Sequence, residues 1–288
     1  MRLFRPPNLF TVPGDPLAGF LLAGGRLGWG MVPGALAALL LYSAGLLLND
    51  FFDREADARE RPERPVPSGA VSSGAVAAVG GLLLVVGALI GWAGAGPGGR
   101  WVPLALAAAI LAYDAALKRL PVVGPVVMGA CRGGSVVLGA ACAGQLARPA
   151  VLTAAAILWA YTTAITVLAA GEAQATRRGV ESLAPGAILI AGCVVLSLVR
   201  VPGIPLGLLG VAALVFGGGE ALLVGSLLMG GREAVPACIG RLVRVMLWAQ
   251  GGWCLWTAEA PAATAAFASL FVALRLGAEV AGRKFYGS

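Results

Sequence analysis

The carboxylates of this chain are concentrated in one short segment. Six of the fourteen lie between Asp50 and Glu63. Four polar residues in this segment follow one another at helical spacings of three and four, and we call them the Asp face: Asn49, Asp50, Asp53 and Asp57. In a helix these side chains share one side. Because three like charges repel one another there, the spacing predicts a bound cation, and Mg²⁺ is typically held by one or two carboxylates completed by water and phosphate oxygens.

A solvated helix end is the alternative interpretation of the Asp face, since acidic residues are common at such ends and bind nothing there. Here, however, the acids terminate an apolar segment that is long enough to cross a membrane. A charged group at that depth costs free energy unless it is used. We therefore predict a metal site.

Basic side chains follow the Asp face in two segments. The first runs from Arg59 to Gly69, and its three prolines hold it extended, while Arg64 and its neighbours can pair with phosphate oxygens. The second is the pair Lys118-Arg119, just after Tyr113. An ordinary cytoplasmic loop explains some of these arginines equally well. Carboxylates for a metal next to cations for a diphosphate predict recognition of a phosphate carried by a lipid.

The elements that position these residues are apolar helices. Hydrophobic residues make up 59% of the 288 residues and charged residues 12%, against about 25% charged in soluble proteins. A helix needs about 20 apolar residues to cross the hydrocarbon core. The sequence therefore predicts an all-α, polytopic transmembrane bundle in a single domain over residues 1–288. Nine to ten helices are expected around a central cavity that opens near the cytoplasmic face.

The distribution of basic residues predicts the orientation of this bundle. The predicted spans are 13–30, 31–52, 74–95, 101–117, 121–146, 150–170, 183–199, 203–230, 237–257 and 261–281. The first of them is short and broken by glycines. No removable signal peptide is recognised before them. With the N-terminus inside, sixteen Lys and Arg residues fall in inner segments, four in outer segments and one within a span. By the positive-inside rule, this asymmetry predicts a multi-pass protein of the cell membrane with both termini cytoplasmic.

The composition excludes several other chemistries. The chain has no histidine, which removes histidine bases, histidine-metal sites and histidine-based triads. Its five cysteines occur singly in apolar runs, which is typical of packing residues and not of a zinc site or a disulfide framework. The net charge of +7 has no basic aromatic surface beside it, so nucleic acid is not a predicted partner.

Arg132 is a charged residue inside the fifth predicted span. A charge at that depth is a functional candidate by default, and Arg132 could contact a diphosphate or an acidic acceptor. The alternative is an ion pair with Asp114 or Glu220.

The run Asn49-Asp50-x-x-Asp53-x-x-x-Asp57 resembles the NDxxDxxxD motif of the UbiA superfamily of intramembrane prenyltransferases. Other segments within roughly the first 130 residues are similar to further motifs of that family: Arg5-Pro6-Pro7-Asn8 to RPxN, Arg64-Pro65 with Ser68-Gly69 to RPxxSG, and Tyr113 with Leu117-Lys118-Arg119 to YxxxLKR. The resemblance implies Mg²⁺-dependent transfer of an isoprenyl group from a prenyl diphosphate to a small aromatic or lipid-like acceptor within the membrane. The reaction implied is ionisation of the C–O bond to an allylic cation, which the acceptor captures.

The resemblance also implies roles for individual residues. The implied metal ligands are Asn49, Asp50, Asp53, Asp57 and Glu172. The implied substrate-binding residues are Asn8, Arg64, Tyr113, Lys118 and Arg119, to which Arg132 is added because of its depth. Asp50, Asp53 and Lys118 are expected to act in catalysis itself.

The sequence departs from the family in two places. A second acidic motif is expected after the sixth span, where Glu172 matches its first acid, but Thr176 occupies the i+4 position and Glu181 lies beyond. The tenth span also exceeds the nine that the family usually has. These departures leave open one Mg²⁺ ion instead of two, an atypical substrate, or loss of catalysis. They point to a divergent branch, such as the UbiA-like proteins called EboC.

Two functions other than prenyl transfer stay open. One is a non-catalytic UbiA-like membrane protein that binds or moves a lipid-linked metabolite. The other is a secondary transporter, which is disfavoured because no repeat symmetry is found and the polar residues gather at one end of the bundle. The acceptor also stays open among an aromatic acid, a quinone precursor, a porphyrin and a polar lipid headgroup.

Overall fold

The computed structural model describes residues 6–170, 179–198, 208–231, 234–258 and 260–286, and within these ranges it contains helices and no strand. The α-helices of the described ranges, in chain order, are α1 (Pro6–Leu9), α2 (Gly14–Leu22), α3 (Val32–Phe52), α4 (Arg54–Glu60), α5 (Ser73–Gly94), α6 (Trp101–Ala115), α7 (Val123–Cys142), α8 (Pro149–Ala169), α9 (Ala184–Leu198), α10 (Leu208–Met229), α11 (Val235–Trp256) and α12 (Pro261–Tyr286). The predicted all-α class is therefore confirmed.

Seven helical segments of the described chain are long and apolar enough to cross a membrane: Trp29–Phe52, Ser73–Gly94, Val123–Cys142, Pro149–Ala169, Val180–Leu198, Leu208–Met229 and Pro261–Gly282. Two of these include a short 3-10 turn before the α-helix. The 15-residue α6 and the less apolar α11 are not among them. This count supports a polytopic membrane protein, and it is smaller than the nine to ten spans predicted.

The first predicted span, 13–30, is short and broken by glycine, as expected from the sequence. Its helical part, α2, has nine residues and rises only about 13 Å, too little to cross a hydrocarbon core. Glycine is the cause, because Gly24 adopts φ +88° directly after the helix, a conformation that other residues rarely take. A 3-10 turn, Trp29–Met31, then leads into α3.

Glycines bring the helices together backbone to backbone. At the contact of α2 with α7, a Cβ atom on Gly19 would overlap the carbonyl of Val136, and a Cβ atom on Gly139 would overlap the carbonyl of Pro16. Van der Waals packing at small residues is a main source of helix association in membranes. The contact therefore holds α2 against α7 and fixes where the preceding N-terminal segment, residues 8–15, enters the bundle.

Candidate active site

The Asp face lies where α3 passes into α4. Asp53 is the C-cap of α3 and the N-cap of α4, yet the helical hydrogen bonds continue across it. The amide of Asp53 donates to the carbonyl of Asn49 (2.9 Å), and the amide of Asp57 donates to the carbonyl of Asp53 (2.8 Å). Because the i,i+4 spacing is kept, these three residues stay on one side of the chain, as the sequence predicts. Asp50 lies half-buried on the last turn of α3.

Lys118 is the cation that meets the Asp face. It lies in the 3-10 turn Leu117–Arg119, directly after α6. Its Nζ atom lies 2.8 Å from Oδ1 of Asp53 and donates a hydrogen bond of 3.1 Å to Oδ1 of Asn49. Two oxygens of the Asp face therefore contact the same ammonium group. Arg119, in the same turn, is exposed and forms no ion pair within the described chain.

Arg64 lies next to the Asp face as well. Its Nη1 atom pairs with Oδ2 of Asp57 at 2.7 Å, and Asp57 is buried. The ion pair fastens the segment after α4 to the Asp face at Arg64. That segment ends at Ser72, whose side chain caps α5 by accepting a hydrogen bond from the amide of Ala75. The structure thus brings Arg64 and Lys118, predicted from separate motifs, to neighbouring carboxylates.

A cavity of about 320 Å³ begins at Asn49 and extends into the bundle. Its walls are formed mainly by apolar side chains of α3, α6, α7, α8 and α11, among them Leu41, Ile110 and Ile165. Its polar wall includes several of the predicted residues and some that were not predicted: Asn8, Thr11, Asp15, Asn49, Tyr113, Asp114, Arg132, Ser135 and Thr162. Asn49 belongs to both the Asp face and the cavity, so it joins the two.

Arg132 lines this cavity, and its ion pair is with Asp15, a residue that the sequence analysis does not name. Its Nε atom lies 3.2 Å from Oδ2 of Asp15, and Nη2 donates to the carbonyl of Thr11 at 3.1 Å. The side chain of Arg132 reaches Asp15 because α2 is short and lies on α7 within the bundle. The side chain of Arg132 is therefore held on the N-terminal segment.

Gln250 completes a buried network that sequence reasoning missed. Its Nε2 atom donates to Oδ1 of Asp15 and to the carbonyl of Thr11 (2.8 Å), and both Asp15 and Gln250 are fully buried. Thr11 in turn donates from its amide and its hydroxyl to the carbonyl of Asn8 (3.0 and 2.8 Å). The network thus sets the position of Asn8 in the cavity wall. A polar residue inside an apolar run was the signal that could have revealed it.

The remaining predicted metal ligand, Glu172, lies outside the described residues. Within the described ranges, no group of three or more Asp, Glu, Cys or His side chains could hold a metal ion. Mg²⁺ does not require such a group, because it usually keeps several waters and takes one or two carboxylates plus substrate phosphates. Two oxygen atoms lie close to Lys118: Oδ1 of Asn49 and Oδ1 of Asp53. Oxygen ligands of this kind are the ones that Mg²⁺ prefers. The donor set therefore fits Mg²⁺.

Fold and site together define a polytopic helical membrane protein in which an acidic face, two cations and an apolar cavity adjoin one another. The model of the UbiA prenyltransferase family matches residues 16–274. The chain belongs to the UbiA prenyltransferase family, which confirms the family predicted from the motifs. Its placement in an EboC-like branch stays a prediction.

Several relatives of known name are similar to the chain over part of their length. The digeranylgeranylglyceryl phosphate synthase of Methanothrix thermoacetophila is 34% identical over 162 residues, which is 54% of this chain and 57% of the relative. The protein of the same name from Natronomonas pharaonis is 34% identical over 166 residues, with the same coverage. The chain thus matches little more than half the length of these relatives.

Two solved structures share the fold. A UbiA homolog from Aeropyrum pernix K1 superimposes with a TM-score of 0.64 at 19% identity, over 85% of this chain and 96% of that one. A structure described as concerning digeranylgeranylglyceryl phosphate synthase in membranes gives a TM-score of 0.56 at 14% identity, over 96% of both chains. At these identities the likeness shows the fold alone, a UbiA-like helical bundle.

Proposed function

We propose that this protein transfers an isoprenyl group from a prenyl diphosphate to a small acceptor within the membrane, in a Mg²⁺-dependent reaction. One observation carries the proposal: Lys118 bridges Asn49 and Asp53 at the point where Asn49 enters the apolar cavity. Groups that bind a charged diphosphate thus adjoin a space suited to an apolar chain. The name of these relatives favours a lipid acceptor of the glyceryl phosphate type over an aromatic one.

The Asp face and its cations would hold the diphosphate. Asn49, Asp50, Asp53 and Asp57 supply the oxygens for Mg²⁺, with Glu172 as a further ligand. The bound ion would offset the charge that develops on the leaving diphosphate. Lys118, Arg64 and Arg119 donate hydrogen bonds to its oxygens, which lowers the cost of breaking the C–O bond. Asp50, Asp53 and Lys118 therefore act at the reacting group.

The cavity would hold the isoprenyl chain and the acceptor. Its apolar walls exclude water, so the allylic carbon reacts with the acceptor and not with solvent. The C–O bond to the diphosphate breaks, the allylic carbon bonds to an acceptor atom, and the proton of that atom passes to the departing diphosphate. Asn8 and Tyr113, on the polar wall, are placed to orient the acceptor. Arg132 contributes by fixing the N-terminal segment to which Asn8 belongs.

The topology belongs to the same proposal. We infer ten crossings in one domain over residues 1–288, the first made by the interrupted segment 6–22, with both termini cytoplasmic and the cavity opening at that face. Asn8 lies in the cavity wall, whereas Gly24 lies against the guanidinium of Arg148, just before α8 at the opposite end. The excess of basic residues in the predicted inner segments supports this orientation.

A binding experiment tests the proposal. Geranylgeranyl diphosphate is titrated calorimetrically into the detergent-purified protein, with and without Mg²⁺, using the wild type, Asp53→Asn and the control Glu60→Gln. Glu60 is exposed on α4, so its variant should bind as the wild type does. We expect Mg²⁺-dependent binding that Asp53→Asn weakens by at least about tenfold, since a charged ligand group is lost.

The same experiment separates catalysis from the non-catalytic alternative. Binding followed by release of diphosphate when a glyceryl phosphate lipid is added supports the transferase. Binding without release from any acceptor favours a protein that binds or moves a lipid-linked metabolite. Absence of Mg²⁺-dependent binding to this or a shorter prenyl diphosphate would overturn both the substrate and the metal assignments.

A further inference from the structure

The last helix, α12, packs on the N-terminal segment without reaching the cavity. It contacts both α1 and α11, and none of its described side chains lines the cavity. Phe267, Phe271 and Ala278 of α12 are buried. The ring of Phe271 lies against α11, where a Cβ atom on Gly251 would be 3.0 Å from it. α12 is therefore anchored on a helix that itself forms part of the cavity wall.

Phe10 is the side chain through which α12 meets the N-terminal segment. It directly follows α1, and its ring lies against Gly277 of α12. A Cβ atom on Gly277 would be 2.8 Å from Cε1 of Phe10 and 3.1 Å from both Cδ1 and Cζ. Carbon atoms in ordinary contact are about 3.5 Å or more apart. Only the missing side chain at position 277 therefore allows the ring to lie this close to the helix.

The neighbours of Phe10 along the chain face the cavity. Asn8, Thr11 and Val12 line it, whereas Phe10 does not. Thr11 donates two hydrogen bonds to the carbonyl of Asn8 (3.0 and 2.8 Å), and its own carbonyl accepts one from Gln250 (2.8 Å). The segment is thus supported by a polar contact with α11 and by an apolar contact with α12. Because a hydrogen-bonded turn joins Asn8 to Thr11, a displacement of Phe10 is passed on to Asn8.

We propose that Gly277 is a positioning residue for prenyl transfer: it seats Phe10, and Phe10 sets the place of Asn8 in the cavity wall. This inference rests on the proposed function, in which Asn8 orients the acceptor. Phe10 also packs against the buried core of the bundle, which limits the room for its ring to turn aside. A side chain at position 277 must therefore push the ring, and the turn that carries it, by about 0.7 Å to restore ordinary contact.

The size of this displacement sets the expected effect on the reaction. A misplacement of about 1 Å in an orienting group can cost about 100-fold in rate. For a shift of about 0.7 Å that is partly absorbed by the ring, we expect about a tenfold loss in kcat/KM for the acceptor. Binding of the prenyl diphosphate should be unchanged, because the Asp face belongs to α3 and α4.

Steady-state kinetics of the detergent-purified full chain tests the inference. Geranylgeranyl diphosphate is the donor and geranylgeranylglyceryl phosphate is the acceptor probe, with the wild type, Gly277→Val, the milder Gly277→Ala and the control Gly81→Val. A Cβ atom on Gly81 of α5 would meet nothing within 4 Å. We expect kcat/KM for the acceptor to fall about tenfold in Gly277→Val and about threefold in Gly277→Ala. The control and the calorimetric affinity for the donor with Mg²⁺ should stay within about twofold of the wild type.

A double variant separates positioning from a general loss of packing. If Gly277 acts through Asn8, both substitutions affect the same contact and their effects should not add. Gly277→Val combined with Asn8→Ala should then be no less active than Asn8→Ala alone. Additive losses, unchanged kinetics in both Gly277 variants, or weakened donor binding in Gly277→Val would each overturn the inference. A wild type that neither binds nor transfers the donor would instead refute the proposed function, and this inference with it.

Discussion

The buried network around Asp15 offers a sharp test of the packing described above. Asp15→Asn keeps the shape of the side chain but removes its charge, so the guanidinium of Arg132 loses the carboxylate that lies 3.2 Å from its Nε atom. Because Asp15 is fully buried and Arg132 is 8% exposed, water can replace that carboxylate only in part. The variant therefore leaves an uncompensated charge inside the bundle.

The expected loss of stability is large for a substitution that replaces one oxygen atom by nitrogen. Removing one partner of a buried ion pair costs about 3–5 kcal/mol, whereas a hydrogen bond between membrane helices averages about 0.6 kcal/mol. We expect the free energy of unfolding to fall by about 3 kcal/mol, the lower end of the range, because Nη2 of Arg132 keeps its hydrogen bond to the carbonyl of Thr11. Adding Arg132→Met to Asp15→Asn removes the orphaned charge and should recover at least half of this loss.

Steric trapping in bicelles measures these free energies without leaving a lipid environment. Glu55→Gln serves as the control, since the Arg54–Glu55 pair is exposed and should be worth about 1 kcal/mol or less. A double variant that is no more stable than Asp15→Asn would show that the charge of Arg132 is not what Asp15 compensates. A loss of under about 1 kcal/mol in the single variant would likewise contradict full burial of the pair.

Glycine packing, the Asp57 ion pair and the Tyr161 hydroxyl can each be tested by one substitution. Gly139→Ala should destabilise the protein by about 3 kcal/mol, because its methyl would overlap a backbone carbonyl of α2. A Cβ atom on Gly81 of α5 would meet nothing within 4 Å, so Gly81→Ala should change the free energy of unfolding by less than about 1 kcal/mol. Equal losses of stability in the two glycine variants would refute the packing argument. Asp57→Asn frees Arg64 from its 2.7 Å pair, a loss of about 1 kcal/mol, and should speed cleavage of segment 61–72 by proteinase K about fivefold. The difference in cleavage rate between the variant and the wild type should shrink in 1 M salt, because salt screens the ion pair. Tyr161→Phe should cost about 1 kcal/mol in the same unfolding assay, since the hydroxyl donates a 2.7 Å hydrogen bond to a buried carbonyl.

Local spacing predicts the Asp face well, because a helix keeps i,i+4 neighbours on one side wherever the chain leads. The motifs also brought Lys118 into the site, although 69 positions separate it from Asn49. Arg132 shows the limit of this reasoning. Its depth in the membrane marked it as a functional candidate, but its partner Asp15 lies 117 positions away, in a short, glycine-broken segment that carries no motif. Gln250, 235 positions from Asp15, carried no motif at all. Such pairings are decided by helix packing, which spacing along the chain does not encode.

The position of Lys118 has a consequence for how ligands must bind. Its ammonium group is a tethered competitor, present at high effective concentration, for any cation that approaches Asn49 and Asp53. In the proposed function, Mg²⁺ would displace it, and the released ammonium would then become available to a diphosphate. Each ligand thereby lowers the cost of binding the other, and this coupling is reciprocal by thermodynamic necessity. The Asp face should therefore bind Mg²⁺ weakly alone, diphosphate weakly alone, and the two together cooperatively.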